Sequence, residues 1–247
     1  MRMMSPQSLS LSSSSDENED DEVEAAENSR ELHLTQDSES PDEMRTFTFV
    51  RHGEAEHNVK TPGCMSILDP ALTRKGVEQA KRLAASVQES GRTFDIVITS
   101  PLRRAMQTAM HAFGHLIDAE FIVSSLHTES GRKYRAQQGR SHSRLRAEYP
   151  TWDFSGLVTS GPDASITWTS TSGGRASGIA ATAEGYMHPK PPSRRLGEFK
   201  SLLLGLDQSK RVVVVGHSGT LLRLVGHKMK NCEICEASLS FRYEPRR

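Results

Sequence analysis

The sequence predicts an α/β fold in which helices cover both faces of a mainly parallel β-sheet. Short apolar runs alternate with amphipathic stretches through most of residues 45–240, and this alternation is typical of parallel strands joined by helices. Two apolar runs, residues 47–50 and 212–215, each lead into a histidine next to a glycine. An apolar run bounded by glycine indicates a buried strand. Side by side, the two strands would bring His52 and His217 to the carboxyl edge, where open parallel sheets bind ligands.

Local signals place the elements in order. Thr73 is a favourable N-cap residue and Gly91 a helix terminator, so a helix is predicted between them. Ser100-Pro101 predicts the start of a second helix, because proline is favoured at the first helical position. In chain order the sequence predicts strands at 46–50, 94–99, 121–123, 211–215 and 238–243, and helices at 73–91, 102–113, 141–149, 193–206 and 220–226.

Charge is distributed unevenly along the chain. Of 31 acidic and 31 basic residues, 13 acidic residues fall in residues 1–44 against only Arg2 and Arg30, which leaves 18 acidic and 29 basic residues in 45–247. Residues 1–44 are also rich in serine, and such a composition cannot bury enough surface to offset ordering. We expect a disordered acidic tail at 1–44 and one domain at 45–247. Residues 155–183, mostly Ser, Thr, Gly and Ala, form a predicted low-complexity insertion within that domain.

Composition also constrains the cellular setting. No apolar stretch is long enough to cross a bilayer, and the N-terminal residues have neither the apolar core of a secretory signal nor the basic character of a transit peptide. Three cysteines do not suggest a disulfide framework. We therefore expect a cytoplasmic protein, with the nucleus left open, that binds neither membrane nor nucleic acid. The sequence does not indicate an oligomeric state.

Four motifs in a fixed order identify a family resemblance. They are Arg51-His52-Gly53 followed by Asn58, Leu72-Thr73-Arg74-Lys75-Gly76, Ser100-Pro101-Leu102-Arg103-Arg104-Ala105-Met106-Gln107-Thr108, and Gly216-His217-Ser218. Together they resemble the histidine phosphatase superfamily, the phosphoglycerate-mutase-like proteins, over about residues 45–150 and 184–240. The resemblance implies a phosphoglycerate-mutase-like three-layer sandwich.

The resemblance also implies roles for individual residues. His52 would be the nucleophile that becomes a phosphohistidine. The phosphoryl oxygens would be held by Arg51, Arg104 and His217, with Asn58 as a further donor. Arg104 rather than its neighbour Arg103 is expected to face the pocket. The remaining histidines, His57 among them, are interpreted as surface or packing residues.

The general acid is the least regular of these positions. In Leu126-His127-Thr128-Glu129 the carboxylate stands one place later than in the family pattern. Glu129 is nevertheless the predicted acid, and Glu54 is the alternative.

These residue types suit phosphoryl transfer, which depends on positioning and charge stabilisation. Guanidinium groups bind phosphate oxygens in bidentate fashion, and a histidine nucleophile must be neutral. His217 is expected to be protonated, as a third cation. A carboxyl group would protonate the leaving group and then activate water. No step requires a metal or another cofactor.

We therefore expect a metal-independent phosphomonoesterase of the histidine acid phosphatase type, acting on a small phosphorylated metabolite or a phosphoprotein. Mutase activity is an alternative, but the segments by which mutases shield the phosphoenzyme are not intact here. A catalytically silent scaffold that binds a phosphorylated ligand is a further alternative. A basic rim beside the pocket would favour substrates with additional negative charge. Its residues are Arg132, Lys133, Arg135, Arg140, Arg144 and Arg146.

Overall fold

The computed structural model describes residues 44–129, 135–157 and 192–240. Within these ranges the strands are β1 (Arg45–Arg51), β2 (Ile96–Thr99), β3 (Glu120–Val123), β4 (Val212–Gly216) and β5 (Ile234–Leu239). The α-helices are α1 (Arg74–Glu89), α2 (Arg103–Phe113), α3 (His142–Glu148), α4 (Pro192–Leu204) and α5 (Ser218–Val225). Short 3-10 turns occur at Glu56–Asn58, Cys64–Ser66, Ser125–His127 and Arg135–Gln137.

The five strands form one sheet in the order β3-β2-β4-β1-β5. The first four are parallel to one another, and β5 runs antiparallel to β1 at the edge. This confirms the predicted α/β fold and the pairing of the two strands that lead into His52 and His217. β5 begins four residues before the predicted last strand at 238–243, because it pairs with β1 from Arg45 opposite Leu239 to Val50 opposite Ile234. Residues 241–243 of that prediction lie outside the described residues.

Alternate strand residues pack into two separate cores, one on each face of the sheet. Val50, Val97 and Val213 face a core shared with α1 and α2. Phe49 and Val214, their neighbours in sequence, face the other core, to which α4 and α5 contribute. Side chains of a strand point alternately to opposite faces, so a strand that is apolar throughout is buried on both sides. The helices therefore form the outer layers of a sandwich.

Helix capping agrees with the sequence at α1 and differs at α2. The Thr73 side chain caps α1 by accepting a hydrogen bond from the backbone N–H of Gly76 at 3.0 Å. The sequence predicts that Ser100-Pro101 starts α2, with Ser100 as N-cap, and this is wrong, because Leu102 is the N-cap residue and the helix begins at Arg103. Asp69, buried in a distant loop, accepts the Arg103 backbone N–H through Oδ1 at 2.8 Å. A free N–H at the helix start is thus satisfied from another part of the chain.

The predicted acidic tail, apart from residue 44, and residues 158–183 of the predicted insertion lie outside the described residues. No helix in the described ranges has both the length and the apolar character needed to span a bilayer.

Candidate active site

The candidate site lies where β1 and β4 end beside each other. Arg51 pairs with Gly216 in the parallel register, and the next backbone N–H, that of His52, donates to the Gly216 carbonyl at 3.0 Å. The register therefore places His217 opposite His52, and their ring centroids are 5.2 Å apart. The two similar motifs, each an apolar run that leads into a histidine, thus bring two imidazole rings together.

Two glycines fix the loop that follows His52. A Cβ on Gly53 would lie 2.7 Å from the Gly76 carbonyl oxygen, and one on Gly76 would lie 2.0 Å from that of Glu54. Only glycine permits backbones to approach so closely. The first two motifs of the resemblance are therefore in direct contact, with the start of α1 packed on the histidine loop.

His52 is held in the form that a nucleophile requires. The residue is only 2% exposed, and its Nδ1 lies 2.7 Å from the Gly53 carbonyl oxygen. Because a carbonyl can only accept, Nδ1 carries the proton and Nε2 keeps its lone pair. Among the described residues, Nε2 has no hydrogen-bond partner. Burial, and next the positive charge of Arg104, hold the His52 pKa well below its ordinary value, so the ring is neutral.

His217 is fully buried, and its Nε2 lies 2.8 Å from the Ser100 hydroxyl. Its Nδ1 has no hydrogen-bond partner in the described part of the chain. The surroundings of His217 do not favour the protonated ring that the sequence analysis expects. Burial, followed by repulsion from Arg104 and His52, holds its pKa well below the ordinary value.

Two guanidinium groups accompany the histidines. Arg51 donates from Nη1 to the Met229 carbonyl at 2.9 Å. Arg104 is completely buried and donates to the Ala136 carbonyl and to Gln137 Oε1, both at 2.8 Å. The Nε atoms of both arginines are buried and lack partners among the described residues. Burial lowers the pKa of Arg104 to about 10, which leaves it charged.

The two arginines that follow Ser100-Pro101-Leu102 face opposite ways. Arg104 is buried beside the histidines, while Arg103 is exposed. Placement therefore agrees with the orientation predicted for Arg104, whose role in binding phosphate stays a prediction.

Asn58 lies in the loop beside the site, with its side chain used locally. Its Oδ1 accepts the Ala55 backbone N–H at 3.0 Å, and its Nδ2 is 3.2 Å from Nε2 of His57. His57, interpreted from the sequence as a surface or packing residue, lies beside the site, with its ring centroid 5.8 Å from that of His52. A 3-10 turn at Glu56–Asn58 folds the loop back toward His52, and no periodic pattern in the sequence reveals such a turn.

The two candidate acids have different surroundings. Glu129 Oε2 accepts the Gly219 backbone N–H at 3.1 Å, at the start of α5, and its charge acts on both Arg51 and Arg104. Glu54 instead forms a 2.8 Å ion pair with Lys75 at the outer side of the loop. The hydrogen bond from Lys75 is the main reason that the Glu54 pKa is lowered. Glu129 is thus the carboxylate that faces the guanidinium groups.

Arg195 of α4 holds the segment that leads to Glu129. It is 4% exposed, and its Nη1 donates to the Thr128 carbonyl at 3.0 Å, to Thr128 Oγ1 at 2.6 Å and to the Leu126 carbonyl at 3.3 Å. The sequence analysis did not select this residue. A signal was present, since Arg195 lies four places before Phe199 and therefore on the apolar face of its helix.

The predicted basic rim is only partly a surface feature. Arg140 points inward and pairs with buried Asp69 at 3.1 Å and with Glu148. Its contribution is structural, which corrects the prediction that it overhangs the pocket. Arg144 and Arg146 are exposed. Arg132 and Lys133 lie outside the described residues.

No group of three or more His, Cys, Asp or Glu side chains in the described ranges could hold a metal ion. The polar groups that converge are instead three histidines, two arginines and the Glu129 carboxylate. Such a set, in an α/β domain and around a neutral histidine, has the charge and the donors that an anion requires.

Comparison with known proteins finds similarity to one family. Residues 47–154 match the model of the histidine phosphatase superfamily (branch 1). The match confirms the resemblance of the first three motifs, which all lie within this range. The matched range contains every predicted site residue except His217.

Individual relatives include both mutases and phosphatases. The chain is 35% identical over 107 residues to a 2,3-bisphosphoglycerate-dependent phosphoglycerate mutase of Bartonella tribocorum, covering 42% of this chain and 50% of that protein. It is 29% identical over 113 residues to a candidate phosphatase of Schizosaccharomyces pombe, covering 44% and 52%. The chain thus spans about half the length of the curated relatives it matches.

A solved structure shares the fold. The structure of a candidate alpha-ribazole-5'-P phosphatase from Escherichia coli has a TM-score of 0.50 and 20% identity, covering 79% of this chain and 91% of that one.

Proposed function

We propose that this chain is a phosphomonoester hydrolase that works through a phosphohistidine on His52, acting on a small phosphorylated metabolite or a phosphoprotein. One observation carries the proposal. His52 is neutral, its Nδ1–H is held by the Gly53 carbonyl at 2.7 Å, and its Nε2 lone pair has no partner among the described residues. A buried imidazole with one nitrogen fixed and the other unused is prepared for nucleophilic attack.

In the first step, the Nε2 lone pair of His52 forms a bond to phosphorus while the bond from phosphorus to the leaving oxygen breaks. Protonated Glu129 gives its proton to that oxygen, so an alcohol departs. Arg51 and Arg104 offset the charge on the transferring group. The Gly53 carbonyl stabilises the positive charge that develops on the His52 ring.

In the second step, water attacks phosphorus, the N–P bond breaks and inorganic phosphate leaves. Glu129, now a carboxylate, accepts the proton from water. The negative phosphoryl group would raise the pKa of His217 by opposing the repulsion from Arg104. We therefore expect His217 to gain its proton only with substrate bound.

Glu129 is preferred to Glu54 as the acid because of its position. Glu54 is held in an ion pair with Lys75 at the outer side of the loop. Glu129 lies instead on the side of Arg51 and Arg104, where a leaving group would emerge.

The direct test is turnover of p-nitrophenyl phosphate, with and without a chelator. We expect hydrolysis that the chelator does not reduce. Acid-labile, alkali-stable phosphate should be trapped on the wild type and be absent from His52→Ala. His111→Ala, a change outside the site, serves as the matched control and should retain both. Phosphate trapped on His217 would contradict the assignment of the nucleophile, and the absence of turnover would favour a silent phosphate-binding protein.

Phosphotransfer remains the second candidate, because the relative from Bartonella tribocorum carries the name of a mutase. Incubation with phosphoglycerate and 2,3-bisphosphoglycerate separates the two. A hydrolase releases inorganic phosphate in proportion to the ester consumed, whereas a mutase converts phosphoglycerate without net release.

A further inference from the structure

His57 carries an unpartnered ring nitrogen beside the candidate site. The Ala55 backbone N–H donates to Asn58 Oδ1 at 3.0 Å, which fixes that amide so that Nδ2 points at His57 Nε2, 3.2 Å away. An amide nitrogen only donates, so Nε2 must accept. The proton of the neutral ring therefore lies on Nδ1.

That Nδ1–H is buried and has no partner among the described residues. A buried donor without a partner is costly and points to a group that is absent from the protein alone. The charges that act on the ring are those of the site, Arg104 and Arg51, and the His52 ring is 5.8 Å away.

The ring also stays neutral under working conditions. Burial, and next the charges of Arg104 and Arg51, lower the His57 pKa to about 3. Protonation would in addition turn Nε2 into a donor facing the Asn58 amide. His57 thus offers one directed N–H rather than a charge.

We propose that His57 is an additional substrate-binding residue that donates its Nδ1–H to an oxygen of the bound phosphoryl group. The inference rests on the proposed phosphatase function. It gives Asn58 a positioning role, because the amide selects the tautomer of His57 as well as holding its own loop. The ligand is a phosphate monoester dianion, for which inorganic phosphate is the simplest probe.

The experiment measures the inhibition constant of inorganic phosphate against p-nitrophenyl phosphate hydrolysis. His57→Phe removes both ring nitrogens, and we expect phosphate to bind roughly 10-fold more weakly or worse, as for the loss of a hydrogen bond to a charged group. His57→Asn places an amide nitrogen as many bonds from the backbone as Nδ1, so we expect it to remain within about threefold of the wild type. His111→Phe and His111→Asn are matched controls outside the site.

Equal inhibition constants for His57→Phe and the His111 controls would overturn the proposal, as would equal losses for His57→Phe and His57→Asn. Thermal unfolding of each variant shows whether weaker binding reflects misfolding. Nitrogen-15 NMR of the wild type provides a test that needs no variant. We expect the Nδ1–H tautomer at His57, with slower exchange of that proton when phosphate is added.

An Nε2–H tautomer, or no response to phosphate, would refute the contact. The NMR result also separates this inference from the proposed function. A protein that fails to hydrolyse p-nitrophenyl phosphate but shows the His57 response would lose the hydrolase assignment and keep the anion contact.

Discussion

Replacement of Arg104 by methionine tests how much of the proposed chemistry depends on a single buried charge. Methionine is unbranched, flexible and apolar, so it can fill much of the vacated space. Arg103→Met, the same substitution at the adjacent position, is the matched control because Arg103 is exposed. Any general effect of losing an arginine from the start of α2 should appear in both variants.

The two variants should differ widely in how much kcat/KM falls. Loss of a charged contact to the transition state costs about 3 kcal/mol, which corresponds to more than a 100-fold fall in kcat/KM at about 1.4 kcal/mol per factor of ten. Arg103→Met should stay within about threefold, since exposed substitutions typically change free energies by less than about 0.5 kcal/mol.

Part of the loss could arise from the segment that Arg104 anchors, since its guanidinium donates to the Ala136 carbonyl and to Gln137 Oε1. Gln137→Leu removes one of those anchors and keeps the charge. A small effect of Gln137→Leu on kcat/KM, beside a large one for Arg104→Met, would assign the loss to the charge.

The pH dependence gives an independent measure. His52 must be neutral to attack, and the charge of Arg104 is the second largest reason, after burial, that its pKa is low. Without Arg104 the His52 pKa rises, so a larger fraction of the ring is protonated at acid pH. The acid limb of kcat/KM for p-nitrophenyl phosphate should therefore move to higher pH in Arg104→Met and not in Arg103→Met. Equal small losses in both variants, or an acid limb that stays in place, would refute this reasoning.

Three further predictions follow from the surroundings of the site. Glu129→Gln should slow hydrolysis of alkyl phosphates far more than of p-nitrophenyl phosphate, whose leaving group departs without a proton; no loss on either would shift the acid role to Glu54. Arg195→Met should show the same leaving-group dependence in weaker form, because it loosens the segment before Glu129, whereas exposed Arg194→Met should not. In urea titrations, the free energy of unfolding of the wild type should decrease as the pH is lowered from about 6.5 to 3, because His127 is protonated in the unfolded chain but stays neutral when buried, with a pKa of about 3. In His127→Phe, this free energy should change less with pH, by up to about 1.4 kcal/mol per pH unit.

Much of the fold could be predicted because its signals are local. The valine run before Gly216 and the run before His52 are apolar throughout, as strands buried on both faces must be, and the structure pairs them in parallel. The Thr73 cap was equally visible, since the hydroxyl and the N–H it accepts are three residues apart.

Features that depend on distant contacts could not be predicted in this way. Asp69 supplies the capping interaction of α2 from a loop 34 residues away and does so in a left-handed conformation, with φ of 44°. Arg195 reaches carbonyls nearly 70 residues earlier in the chain. No window of sequence contains both partners of such contacts. A periodic pattern predicts which face of a helix is buried, but it does not predict which groups will form hydrogen bonds with a charged side chain on that face.

The position of Glu129 illustrates how the two kinds of information combine. Its carboxylate stands one place later than the family pattern, and the 3-10 turn Ser125–His127 followed by extended Thr128 delivers it to the start of α5. There Oε2 accepts the Gly219 N–H, and a Cβ on residue 219 would lie 2.7 Å from Oε1. Because the end of a glutamate side chain is flexible, a Cβ at 219 would displace this carboxylate rather than the backbone. Glu129 and the backbone of Gly219, 90 residues apart in sequence, thus meet in a contact that neither motif predicts by itself.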